Sequence, residues 1–285
     1  MKKHRVGLST NGKPFGRQLF EDYARAGIDC MEVSLEPAEL ERLDFAQAAR
    51  WAADTGVEMR SVHLPFYPFE ENDLSSLSDA VRTQTLAAHR ALMDRAAAAG
   101  VRLFVVHPSA EPIGDGERAQ RLAAAAETLS LLADAAEQTG AVVAVENLPR
   151  TCLGRDSGEM LRLTADERLK ICFDTNHLLR EEPVPFVRRV GKRLATTHFS
   201  DYDRLNERHW LPGEGVIDWQ ALMNALDEAG YAGPVVYEVG YKAPPTIRRP
   251  RDLRPEDFAL NARELMQGGP FTVQGVPVRE KCTLP

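Results

Sequence analysis

Glu146, Asp174, His198 and Glu238 each end a short apolar run, residues 141–145, 169–173, 194–197 and 235–237 respectively. Such runs, rich in β-branched residues and bounded by Gly, Pro or charge, predict buried strands of a parallel sheet. A carboxylate or imidazole at the end of a buried strand is costly unless it is paired or metal-bound, because it loses its hydration. Three carboxylates and one imidazole make an oxygen-rich donor set suited to one divalent ion, Mn²⁺ first, with Zn²⁺, Co²⁺ or Mg²⁺ as alternatives. A cation would also hold together like charges that otherwise raise one another's pKa. A hydrogen-bonded polar rim without metal is the plainer alternative.

The histidines sharpen the pattern. His63 and His107 end the apolar runs at residues 57–63 and 101–107, and His198 ends a third. His177 follows Asp174 by three residues, and His209 lies in the next loop. Only His4 and His89 fall elsewhere. A single buried histidine usually reads as a hydrogen-bonded core residue. Five at strand ends or the following loops, with three carboxylates, read as a site.

These side chains need a frame that brings strand ends together. A unit of amphipathic helix, Gly and apolar run recurs at Gly27, Gly56, Gly100, Gly140 and Gly230. Gly just past a helix C-terminus takes the left-handed conformation without Cβ strain. Strands are predicted to begin near residues 5, 28, 57, 101, 141, 169, 194 and 234, with helices over 17–26, 36–55, 77–99, 116–139, 159–166, 183–191, 218–229 and 255–266. Eight alternating β/α units imply parallel strands with right-handed crossovers, and in 285 residues they fit one closed (β/α)8 barrel. The expected barrel covers residues 1–267, and a Gly- and Pro-containing tail, 268–285, wraps the surface or a neighbouring subunit. No GxGxxG follows the first strand and no GxxxxGK[ST] occurs, so an open nucleotide-binding sheet is disfavoured. In such a barrel the chemistry sits at the C-terminal ends of the strands.

Composition closes other routes. No apolar run approaches the roughly 20 residues that cross a bilayer, so a cytoplasmic protein without membrane contact is expected. Cys30, Cys152, Cys172 and Cys282 show no CxxC spacing, which argues against a disulfide or thiolate-zinc framework. The formal net charge of −7 disfavours a nucleic-acid partner, as do the acidic stretches 64–78 and 109–117, which carry no basic residue.

Glu146-Asn147, Asp174-Thr175-Asn176-His177 and His198-Phe199-Ser200-Asp201, with the run 209–218 and Glu238, resemble the xylose isomerase-like TIM barrel superfamily. His209, Pro212-Gly213-Glu214-Gly215 and Asp218 are similar to its H-x-x-PGxG-x-x-D signature. The resemblance spans residues 6–266 and implies Glu146, Asp174, His198 and Glu238 as metal ligands. In its ketose 3-epimerase branch the two glutamates, here Glu146 and Glu238, are also the catalytic proton-transfer pair, acting through a metal-stabilised enediolate. His177 and Arg204 match substrate-binding positions, and His63, His107, His209 and Trp210 join them as candidates.

The expected function is therefore metal-dependent isomerisation or epimerisation of a small sugar, sugar acid or polyol, by a chain able to form a homo-oligomer. The alternatives are a dehydratase of the inosose or dehydroshikimate type and an endonuclease IV-like enzyme, whose three-zinc cluster adds histidines at places matched by His63 and His107. The latter's Asp-x-His pair is matched only approximately, by Glu207-Arg208-His209. Trp51 and Trp219, at helical spacing, read as packing, Asp218 as a helix cap, and Phe15 and Phe66 as pocket walls.

Overall fold

The computed structural model describes residues 4–278, so Cys282 and the end of the expected tail lie outside the described residues. The eight predicted strands are all present: β1 Val6–Ser9, β2 Cys30–Val33, β3 Glu58–His63, β4 Leu103–Val106, β5 Val142–Glu146, β6 Lys170–Asp174, β7 Leu194–His198 and β8 Val235–Tyr237. They pair in parallel in the order β7-β6-β5-β4-β3-β2-β1-β8. The remaining seam between β7 and β8 is bridged just beyond β7, where Phe199 N–H donates to Val236 O at 2.7 Å and Phe199 pairs with Tyr237. The chain is a single (β/α)8 barrel.

Its helices are α1 Arg17–Ala26, α2 Pro37–Arg42, α3 Phe45–Thr55, α4 Asp79–Ala98, α5 Arg118–Gln138, α6 Ser157–Leu163, α7 Pro183–Val190, α8 Trp219–Glu228 and α9 Pro255–Gln267. Gly27 and Gly56 end α1 and α3 with φ of 80° and 77°, the left-handed conformation that a Cβ would strain. Alternation along each strand builds two layers. Leu103, Val105, Ala144 and Cys172 point into the barrel, whereas Phe104, Val106, Val143 and Phe173 join the larger core under the helices.

The span 36–55 departs from the single predicted helix. Leu43 is extended, and the Asp44 side chain accepts from Gln47 N–H at 2.9 Å to start a second helix. An Asp at that position satisfies an amide that the helix leaves free, so it favours a break. Asp218 caps α8 as expected, accepting from Ala221 N–H at 3.0 Å. The tail folds back on the barrel. β10 Val276–Pro277 runs antiparallel to β9 Ile247–Arg248, and Gly275 N–H donates to Glu214 at 2.6 Å. No helix of the described residues is long and apolar enough to cross a membrane.

Candidate metal centre

Each donor owes its place to the strand it ends. Glu146, Asp174 and His198 are the last residues of β5, β6 and β7, and Glu238 follows β8 directly. One ligand atom from each of the four lies within 4.8 Å of the others. His198 Nδ1 is 3.1 Å from Glu146 Oε1 and 3.5 Å from Glu238 Oε2. The strands force this convergence, because parallel pairing sets β6 and β7 in register at Asp174 and His198.

Surrounding groups fix how each donor is presented. Asn147 binds the Asp174 backbone in both directions: Nδ2 donates to Asp174 O, and Asp174 N–H donates to Asn147 Oδ1, each at 2.8 Å. Asp174 Oδ1 accepts from the backbone N–H of Asn176 at 2.7 Å and of His177 at 3.1 Å. Its Oδ2 is buried with no hydrogen-bond partner. A buried carboxylate oxygen with no hydrogen bond, 3.6 Å from His177 Nδ1 and 3.9 Å from His198 Nδ1 among three other donors, fits a cation. His198 Nε2 lies 2.7 Å from Glu32 Oε1, and Ser61 Oγ donates to Glu32 Oε2 at 2.8 Å. That carboxylate, close behind the ring but not aligned for a hydrogen bond, leaves Nδ1 facing the other donors.

The electrostatics follow from this crowding. Burial raises Asp174 to about 7, with Glu146 and Glu238 adding to the rise against the opposing pull of His177. Glu146 is pushed up by burial too, but His198 and His107 outweigh it and hold the carboxyl well below the usual range. Opposite charges and desolvation thus drive two neighbouring carboxylates apart.

Glu146 is the hub. Its Oε2 is 3.1 Å from His63 Nε2 and 3.2 Å from His107 Nε2, and its Oε1 is 3.4 Å from His177 Nδ1. His63, His107 and Glu146 form a second group of converging donors, and His177, Glu207 and His209 a third. A cavity of about 170 Å³ opens over them, lined by His63, His107, Glu146, His177, His209 and Glu238 among others. The predicted His63, His107, His177 and His209 are therefore all brought to the site. Trp210 and Arg204 are not. Trp210 is buried with Nε1 on Thr246 Oγ1 at 2.9 Å and lines a different cleft, and Arg204 pairs with Glu182 at the surface. Arg204 takes a φ of 63°, so the loop turns its side chain away from the position its sequence spacing implied. Phe66 walls the cavity, whereas Phe15 packs on Phe20 and Trp51. Trp51 and Trp219 are packing residues, the latter with Nε1 on Asp201 at 2.8 Å.

Two supporting residues escaped sequence reasoning. Glu32 sits inside β2, where a carboxylate in Cys30-Met31-Glu32-Val33 was the available signal. Lys13, in the loop after β1, donates to Ser9 O at 2.7 Å and Val239 O at 3.1 Å, tying the β1 and β8 ends together. Burial lowers this ammonium to about 7, with Glu238 opposing the shift. Arg150 also lines the cavity and pairs with Glu111 and, at 2.7 Å, with Glu207.

A closed barrel with carboxylate and histidine side chains gathered at the C-terminal strand ends is an α/β barrel of the (β/α)8 class, with its candidate site where that class places its active sites. The chain belongs to the xylose isomerase-like TIM barrel family, whose pattern matches residues 20–259. It is 25% identical to a D-psicose 3-epimerase from Enterocloster bolteae over 78% of each chain. It is also 25% identical to an inosose dehydratase from Lacticaseibacillus casei, over 38% of this chain and 40% of that one. The first curated relatives it matches are spanned over less than two thirds of their length. Among solved structures, a D-tagatose 3-epimerase-like protein shares the fold with a TM-score of 0.76 and 23% identity, over 92% of this chain and 96% of that one.

Proposed function

We propose that this protein is a divalent-metal-dependent isomerase or epimerase of a small polyhydroxylated carbonyl compound. One observation carries the reading. Of the four converging donors, Glu146 and Glu238 line the cavity and Asp174 and His198 do not. A proton-transfer pair must reach a substrate carbon, and purely ligating groups need not.

Glu146, Asp174, His198 and Glu238 would hold the ion. When bound, it supplies Lewis acidity toward a carbonyl and an adjacent hydroxyl. Glu146 and Glu238 would then take and return the proton on the hydroxyl-bearing carbon next to the carbonyl, one carboxylate on each face of that carbon. His63 and His107 orient Glu146 through its Oε2. On the same cavity wall His209, whose Nδ1 lies 3.1 Å from Glu238 O, has its Nε2 to offer a substrate hydroxyl, whereas His177 is held by Asn147 O through Nδ1 and by Glu207 through Nε2. The matches to a D-psicose 3-epimerase and, at the level of fold, to a D-tagatose 3-epimerase-like protein support proton-transfer chemistry. The match to an inosose dehydratase keeps a dehydrating variant of the same chemistry as its nearest rival.

A second reading has its own observation. The groups His63-His107-Glu146 and His177-Glu207-His209 offer two further sets of donors beside the first, as a three-metal phosphodiesterase of the endonuclease IV type requires. Against it, Arg150 is the one lysine or arginine on the described cavity wall, and it already pairs with Glu111 and Glu207. Backbone phosphates need cations to neutralise them.

The test is a panel of ketoses, inososes, dehydroshikimate and an abasic-site oligonucleotide, incubated with Mn²⁺ in deuterated water and read by NMR after the metal is removed. The proposal predicts deuterium at one carbon of a ketose and an isomeric product. Loss of a hydroxyl instead supports the dehydratase, and strand cleavage without sugar turnover overturns the isomerase.

A further inference from the structure

The donor-lined cavity is not closed on all sides. At about 170 Å³ it falls below the roughly 300–1,000 Å³ typical of small-molecule pockets. Through Asn11, His63 and Phe66 it shares a wall with a second compartment of about 280 Å³, set between the loops that follow β1, β2 and β3. Together the two fall within the usual range.

The second compartment has its own chemistry. Phe66 stacks on His107, ring centroids 4.1 Å apart, and stands at the boundary between the two spaces, 38% exposed. Tyr67 forms the outer wall and is 59% exposed, an unusual position for so large a ring. Asn11, Ser34 and Glu36 line the same space, Asn11 and Glu36 with exposed side chains. The side chains of Asn11 and Glu36 have no hydrogen-bond partner among the described residues. No lysine or arginine lines this space. An aromatic side chain sharing one compartment with amide, hydroxyl and carboxylate groups suits an uncharged ring bearing hydroxyls. The carboxylate and the missing cations disfavour a phosphate.

We propose that this compartment is a subsite for a second sugar ring, so that the substrate is a glycosylated ketose and not a free monosaccharide or a sugar phosphate. The inference rests on the proton-transfer reading of the metal centre. The reacting carbons lie over Glu146 and Glu238, the glycosidic link passes Phe66 at the end of the ketose remote from the carbonyl, and the second ring lies against Tyr67. Asn11, Ser34 and Glu36 meet its hydroxyls.

Calorimetric titration of the Mn²⁺-loaded protein with D-fructose and with palatinose, a fructose carrying glucose on its 6-oxygen, tests this. Palatinose is expected to bind about tenfold more tightly, the scale of one well-placed aromatic contact. The ratio of the two affinities should fall toward one in Tyr67→Ala, with Tyr67→Phe retaining most of it. Equal affinity in the unmodified protein, or a ratio that Tyr67→Ala leaves unchanged, overturns the subsite alone. Failure of both sugars to bind overturns the sugar-site reading and the subsite with it.

Discussion

The two halves of the barrel share one architecture and divide the labour. Strands β5 to β8 each deliver one donor to the centre, and every one of these side chains is the terminal or next residue of its strand. Strands β1 to β4 deliver support and walls: Glu32 behind His198, His63 and His107 on Glu146, and Phe66 at the rim. A repeated fold can thus gather its converging donors at one set of strand ends while the other set shapes what enters. Substitutions in the second half should remove turnover, and those in the first should alter how the site is held or how the barrel survives.

The largest effect is expected from Glu146→Gln, which keeps the shape but cannot exchange a proton. Turnover should fall by about a thousandfold or more, within the range for general acid–base groups, with the far-ultraviolet circular dichroism unchanged. A variant that retains full turnover breaks the division at its centre.

In the first half, His89 of α4 is buried with Nε2 on Pro65 O at 2.9 Å. Burial lowers it from 6.5 to about 4, the Pro65 carbonyl opposing. Between those values the unfolded chain binds more protons than the folded one, so stability is full above pH 6.5 and declines as pH falls toward 4. The loss attributable to this ring is about 3 kcal/mol. Chemical denaturation across that window should show it, and His89→Gln should flatten the profile. An unchanged slope in the variant would mean that the ring charges freely in the folded state.

Glu32→Gln sharpens the contrast within a single interaction. It sits in the first half and acts on a donor of the second. Metal affinity should fall by about 10- to 100-fold, the usual cost of losing a carboxylate behind a ligating histidine. Competition with a fluorescent chelator measures this directly, and unaltered affinity would leave Glu32 a purely structural residue. The smallest effect belongs to Asp44→Ala, remote from the site. Removing the cap of α3 should cost about 1 kcal/mol in urea denaturation and leave metal binding untouched.

Much of this was legible in the sequence because it depends on local pattern. Eight apolar runs mark the β/α units, five of them preceded by a glycine after the helix, and the donors at the ends of β5 to β8 stand out as charges placed where burial is predicted. The break at Asp44 was missed because helical periodicity continues across it, although Leu43 is extended. Glu32 and Lys13 were missed for a different reason. Glu32 carried a local signal, a carboxylate inside an apolar strand, but its partners His198 and Ser61 are set only by the fold, and nothing local announces that Lys13 reaches the carbonyl of Val239 beyond β8. Arg204 and Trp210 fail in the converse way. Their spacing from His198 and beside His209 suits a site, but loop conformation turns one to Glu182 and the other to Thr246. Spacing fixes direction on a strand and does not fix it in a loop.

Glu146, Asp174, His198 and Glu238 are proposed to hold a divalent cation. Elemental analysis of the protein purified without chelator, beside Asp174→Asn, tests it most directly. About one divalent ion per chain is predicted for the unmodified protein, following the single four-donor set, and a near-complete loss for the variant, whose bare Oδ2 is the oxygen the ion requires. A metal-free unmodified protein, or an Asp174→Asn variant with its metal intact, would contradict the account.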